Sequence, residues 1–306
     1  MVNSSKAQAR IDHVIFGASK EMRDLLLSYE EIGFKVSPYD QTMRHQPGLR
    51  TGFLYFSPKG AGDYIEFLTV EDRGAFTLAQ AKGEEKYTEQ PCAQGVGIRV
   101  KNADAVHTAL VAQGTAVKPV WSKRPEDKGE DTPNLWSFVE LEKPLSGLGS
   151  FYVQYLQGKV ADQVEIQTGA NGIFAVAGLL YDSDDLDAVT TNLIADFPRD
   201  LVRREGSDIW LGCHRIFATS FKRFCSNSPK ASFFQNPDLN FYGVHLYTQS
   251  LETTAAALKG KWKPHVVLDD RILLLPTEHE GLLAVVTQYP VTQWQNERVN
   301  TKDWLF

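Results

Sequence analysis

The sequence predicts an α+β fold: four β-α-β-β-β units forming two domains, each with a curved, antiparallel-rich sheet. Three observations carry this. A strand-like run, a helix-period run and three short strand-like runs follow one another four times along the 306 residues. The openings of the second and fourth copies align without a gap, Gly95-Val96-Gly97-Ile98 on Gly243-Val244-His245-Leu246, with Asn102 and Ser250 both at the helix start. A polar stretch over 158–171 separates the second copy from the third. A unit recurring every 50–75 residues or so is one architecture used again, not four folds.

Unit one opens with "IDHVIFG" (11–17), apolar but for Asp12 and His13. "SKEMRDLLLSYEEIGF" (19–34) then has helical spacing, with Ser19 as the expected N-cap and Gly33 as the stop. The strands "FKVSPY", "GFLYFSP" and "DYIEFLTV" complete it. Unit two is "GVGIRVKNADAVHTALVAQG" (95–114) with "AVKPVW", "LWSFVEL" and "SFYVQYL". Unit three runs through 172–197 into "DLVRRE", "SDIWLG" and "RIFATSF"; unit four runs from 241–260 into "PHVVLDD", "RILLLPT" and "LLAVVTQ". The expected division is a domain over 8–157, a linker over 158–171 and a domain over 172–306. "SKRPEDKGEDTPN" (122–134) carries charge and turn residues without an apolar period and is expected to be an exposed loop.

Composition narrows the function classes. Net charge is −6 with no dense Lys/Arg cluster, so no nucleic-acid surface is expected. The three cysteines, Cys92, Cys213 and Cys225, are odd in number and irregular in spacing, which fits a reducing compartment better than a disulfide framework. The segment "MVNSSKAQAR" is polar, and no run reaches the roughly 18–20 apolar residues of a membrane span. The expected address is the cytoplasm.

Two titratable residues stand inside apolar strands, His13 and Glu66. A carboxylate between Ile65 and Phe67 is costly to bury unless paired. Paired with His13, Glu66 is either a general base, able to take a proton beside a carbonyl, or the polar floor of a ligand pocket. Other motifs have plainer readings. Gly60-Ala61-Gly62 is a turn with no helix behind it, the "EHE" at 278–280 is a polar hairpin turn, and Cys213-His214 lacks an orienting partner.

The repeat, with Asp12-His13 on the first strand, His45 and Gly48 in "RHQPGLRTGFLYF", Glu66 in "YIEFL", Trp136 in "LWSFVEL" and the strand "FYVQYL", resembles the vicinal oxygen chelate superfamily, and within it the glyoxalase-like domain family. The resemblance implies a divalent metal (Zn, Fe, Mn or Ni) held by side chains from the first and fourth strands of paired units. His13 and Glu66 take those places in unit one; Gly97 and Gln154 take them in unit two, where the family carries a Glu. Pairing of units one and four would instead bring His245 to His13 and Glu66 as a two-histidine, one-carboxylate triad, with Ala284 at the fourth unit's Glu66-like place. It further implies His45 and Arg50 at the mouth of the pocket binding an anionic substrate, and Trp136, Tyr152 and Gln154 as substrate contacts. The activity implied is that of a lyase, isomerase or extradiol-type dioxygenase on a small oxygenated metabolite; the alternative is a metal-free protein that binds or sequesters a small molecule. Units in this fold can also pair across chains, an arrangement that would allow a homodimer.

Overall fold

The computed structural model describes residues 9–38, 48–56, 63–82, 87–123, 136–156, 169–219 and 236–294. All four units are present. Unit one is β1 (Ala9–Ala18), α1 (Met22–Glu31), β2 (Lys35–Val36), β3 (Leu49–Phe56) and β4 (Asp63–Val70). Unit two is β5 (Ala93–Val100), α3 (Ala103–Ala112), β6 (Trp121–Lys123), β7 (Trp136–Glu140) and β8 (Ser150–Tyr155). Between them lies α2 (Arg73–Ala81), which the repeat does not announce; the Asp72 side chain caps it by accepting from the Ala75 N–H. Unit three is β9 (Ile173–Tyr181), α4 (Leu186–Asp196), β10 (Val202–Glu205), β11 (Asp208–Leu211) and β12 (His214–Ala218). Unit four is β13 (Phe241–Thr248), α5 (Leu251–Leu258), β14 (His265–Val267), β15 (Arg271–Leu274) and β16 (Ala284–Gln288).

The units pair in sequence. One sheet has the order β2-β3-β4-β1-β5-β8-β7-β6 and the other β10-β11-β12-β9-β13-β16-β15-β14. In each, the two first strands meet antiparallel at the centre, and each first strand lies parallel to its own unit's last. His13 therefore pairs with Gly97 inside the first sheet, while His245 pairs with Gly178 inside the second.

Helix ends follow local chemistry. Asn102, Asp185 and Ser250 cap α3, α4 and α5 by accepting from backbone N–H groups two or three residues on. Gly33 ends α1 in the left-handed region, at φ +82°. Ser19 is not the cap expected of it: α1 begins at Met22, and the Ser19 hydroxyl donates to the Glu278 carbonyl in unit four.

Each sheet has one face against helices and one away from them. A Cβ on Gly52 would stand 2.3 Å from Met22 Sδ, so Gly52 and its β3 companions Leu54 and Phe56 face α1. Thr51, Phe53 and Tyr55 alternate onto the other side, called here the inner face. On β1, Val14 and Phe16 join the core while His13 and Ile15 lie on the inner face. The core is continuous between the domains, with Phe16 and Phe241 rings 5.9 Å apart. Helix α1 reaches unit four through Trp262, whose indole donates to the Ser28 carbonyl. The end of α4 reaches unit two through Asp196, whose carboxylate accepts from the Leu145 and Ser146 N–H groups. No described helix is long and apolar enough to cross a membrane.

Candidate active site

A β-bulge builds the centre of the N-terminal site. Ile11 and His13 oppose the consecutive residues Ile98 and Gly97, leaving Asp12 as the extra residue on β1. Alternation would put Asp12 and His13 on opposite faces; the bulge turns them together. Asp12 Oδ2 lies 3.1 Å from His13 Nδ1 and accepts from the Tyr155 hydroxyl at 2.5 Å. Arg99, one guanidinium nitrogen 3.9 Å from Asp12, lies over the Tyr155 ring.

The other edge of His13 faces Glu66, with Nε2 3.5 Å from Oε2. Glu66 stands two residues beyond Tyr64, the β4 residue beside His13, so the two share the inner face. Among the described residues the Glu66 carboxyl makes no hydrogen bond, and it is 7% exposed. The imidazole is wedged in place: Tyr64 stacks on it at 4.8 Å, Phe151 lies 5.5 Å away, and a Cβ on Gly97 would fall 2.2 Å from its Cε1. Glycine at 97 is thus the space that the His13 ring occupies.

Burial and charge set the protonation of this row. Burial alone would raise Asp12, but the His13 hydrogen bond and charge, Arg99 and Tyr155 outweigh it and hold Asp12 below the ordinary carboxylate range. Burial would lower His13, yet the Asp12 hydrogen bond and the charges of Glu66 and Asp12 raise it above the usual imidazole value. Glu66 is pushed up to about 7, chiefly by burial, with His13 opposing and the Asp12 charge adding. The surroundings thus favour the ionised form of Asp12 and the protonated form of His13, while Glu66 exchanges its proton near neutrality.

The expected site residues separate by strand parity. Trp136 pairs with Tyr155 across β7 and β8, so it stands on the inner face. Tyr152 and Gln154 do not. The Tyr152 hydroxyl donates to the Asp196 carbonyl and its ring packs by Phe197, while Gln154 Oε1 accepts from the Ala103 N–H at the start of α3. The inner face of β8 is Phe151, Val153 and Tyr155. A one-residue shift in parity exchanges the two faces of a strand. Arg50 shares the parity of Gly52 and is held by Glu71 at 2.7 and 2.8 Å, away from Phe53 and the inner face. His45, and the turn at Gly60-Ala61-Gly62, fall outside the described residues. Cys213-His214 does have a carboxylate at hand, since His214 Nε2 lies 3.6 Å from Asp63 Oδ2.

The registers fix the four places where paired units could present metal ligands. In the N-terminal sheet these are His13, Glu66, Gly97 and Val153, so Val153, not Gln154, matches Glu66. In the C-terminal sheet they are Gly178, Phe217, His245 and Thr287, with Thr287 rather than Ala284 at the Glu66-like place. His245 bonds Thr287 within that second sheet, apart from the row at His13. Among the described residues no three His, Cys, Asp or Glu side chains form a group that could hold a metal ion. Protein sites for transition metals supply three or more ligands as a rule, so His13 and Glu66, the donors that the described residues bring together, do not by themselves fit a resident metal.

Residues that sequence reasoning missed complete the site. Tyr64, Tyr155, Arg99 and Phe151 all lie on the inner face, and the β8 members were within reach from the alternation of "SFYVQY" had its parity been anchored on Tyr155. The bulge at Asp12 leaves no signal in the sequence.

Comparison with known proteins agrees with this architecture. Residues 11–196 match the family described as "Glyoxalase-like domain". No curated protein matches the sequence. Among solved structures, a hypothetical protein from Staphylococcus aureus is similar at a TM-score of 0.58 and 12% identity, covering 92% of this chain and 100% of that one. A catechol 2,3-dioxygenase is similar at 0.51 and 10%, covering 92% and 88%. The Mn(II)-bound glyoxalase from Novosphingobium aromaticivorans is similar at 0.51 and 10%, covering 92% and 83%. The chain belongs to the glyoxalase-like domain family, and its two paired-unit domains have the vicinal oxygen chelate fold.

Proposed function

We propose that the inner face of the N-terminal sheet is a general acid–base site acting on a small oxygenated molecule with an acidic C–H beside a carbonyl. One observation carries this reading: Glu66 is a buried carboxyl without a hydrogen bond among the described residues, facing an imidazole that Asp12 anchors, with a pKa near 7. A base whose pKa lies near the working pH combines a large ionised fraction with a strong pull on the proton. Glu66 takes the C–H proton, and the electron pair moves onto the carbonyl oxygen to give an enediolate. The His13 imidazolium lies 3.5 Å from Glu66 and stabilises that oxygen by charge and by its Nε2–H. In an α-hydroxycarbonyl substrate His13 Nε2 gives its proton to that oxygen and takes the proton of the neighbouring hydroxyl, while Glu66 returns the C–H proton to the former carbonyl carbon; the hydroxyl carbon becomes the carbonyl, both residues regain their starting states, and the overall reaction is an isomerisation. Asp12 holds the ring in the required orientation. Phe53 faces Glu66 across β3 and β4, and Tyr64 and Phe151 pack against the His13 ring.

Among the described residues the donor set stops at two, and the steps above use only side chains of this chain. A second reading, binding without turnover, is favoured by Gly97 and Val153 at the partner positions, which bring no chemistry of their own. One experiment separates the two. A panel of α-hydroxyketones is incubated with the protein in D2O and followed by proton NMR. Turnover predicts deuterium at the carbon beside the carbonyl with wild type, and a rate about 10²–10⁴-fold lower with Glu66→Gln. A ligand that binds and is recovered unlabelled would establish the binding reading instead.

A further inference from the structure

The C-terminal sheet repeats the register of the first with different side chains. At the place of Glu66 it carries Phe217 in unit three and Thr287 in unit four, and at the place of Tyr64 it carries Arg215. The centre is His245, 7% exposed, its Nε2 2.8 Å from the Thr287 hydroxyl. Phe217 meets the imidazole edge to face at 4.4 Å, and Tyr247 lies 5.3 Å away. The Arg215 guanidinium stands 4.6 Å over the Phe217 ring, and Arg271 faces Thr287 directly across β15 and β16. His245 Nδ1 is buried and has no hydrogen-bond partner among the described residues.

We infer that this inner face is a second ligand site, which binds a small organic oxyanion with a flat apolar body. Leaving a buried polar atom without a partner is costly, and such an atom calls for a ligand, an ion or a water to meet it. In the tautomer in which the Thr287 hydroxyl donates to Nε2, which the inference assigns, Nδ1 carries the hydrogen and is the donor an anion requires. Arg215 and Arg271 supply the positive charge from the two sides of His245, and Phe217 and Tyr247 supply flat surface. Burial, then the charges of Arg215 and Arg271, lower the His245 pKa to about 4, so the ring is neutral and its free N–H survives at neutral pH. Both arginines also hold carboxylates, Asp208 for Arg215 and Asp270 for Arg271. These pairs are partly exposed and therefore weak, so a bound anion can compete for the guanidinium groups.

The test is calorimetric titration of the full chain with benzoate and with phenyl phosphate. The inference expects saturable binding of one equivalent of at least one of them. It expects affinity at least tenfold weaker in both Arg215→Gln and Arg271→Gln, and unchanged in Glu66→Gln. Preference between the probes tells a carboxylate from a phosphate monoester. Arg271 is well exposed, so its variant retains the fold and reads binding by itself if Arg215→Gln unfolds. No saturable heat with either probe, binding indifferent to Arg271, or binding lost in Glu66→Gln would each overturn the assignment.

Discussion

Asp12, His13 and Glu66 divide one charge problem among three side chains. Two carboxyls flank one imidazole, and the carboxyl with hydrogen-bond partners stays ionised while the other takes up a proton. This arrangement has a consequence for stability. The folded Glu66 value of about 7 lies above its ordinary 4.5, so the folded state prefers the protonated form. That contribution is complete below about pH 4.5 and is lost as pH rises through 7. Glu66→Gln stays neutral throughout and escapes the loss. By chemical denaturation the variant is expected to gain on wild type between pH 5 and 8, by on the order of 3 kcal/mol. Parallel stability curves for the two proteins over that range would contradict the placement of Glu66.

At the scale of the element, β8 shows what periodicity settles and what it leaves open. Its alternation marks "SFYVQY" as a strand but does not say which parity meets the helices. The aromatic pattern is itself ambiguous, since Phe151, Tyr152 and Tyr155 put large rings on both faces. Tyr152 and Gln154 turned out to serve α4 and α3. Gln154→Leu should therefore cost about 1 kcal/mol in urea denaturation, because the Ala103 N–H loses its acceptor, and leave deuterium exchange untouched. A changed exchange rate at unchanged stability would return Gln154 to the site. The repeat itself was legible because each unit carries its own strand-helix punctuation, and His13 and Glu66 because ionisable residues break apolar runs. Asp12 as an orienting group was not, because a bulge is a backbone event without a residue signature. The pairing of units one with two and three with four is likewise set by contacts between first strands, which no local pattern encodes.

At the scale of the whole molecule, the domains are joined by buried polar contacts as well as by the shared core. Lys263, Glu280 and Tyr29 form a fully buried group: Lys263 pairs with Glu280, which also accepts from the Tyr29 hydroxyl of α1 at 2.7 Å and from the Leu282 N–H. The "EHE" turn is thus a tie between unit four and unit one, reinforced by the bridge between Ala18 and Glu280. Removing one member of such a pair strands the other charge. Lys263→Met is expected to cost about 3–5 kcal/mol, and adding Glu280→Gln, which keeps the acceptor for Tyr29 without the charge, to restore more than half. Denaturation of the two single variants and the double variant measures this; additive losses would show that Lys263 and Glu280 do not act as a pair.

The site stands or falls on the protonation of Glu66. Carbon-13 NMR of the glutamate side-chain carboxyls, with the Glu66 signal identified by its absence in Glu66→Gln, reads this directly over pH 3–9. The predicted result is a midpoint near 7 while His13 still titrates above the ordinary imidazole value. A Glu66 midpoint near 4.5, beside a His13 that is neutral at pH 7, would contradict it.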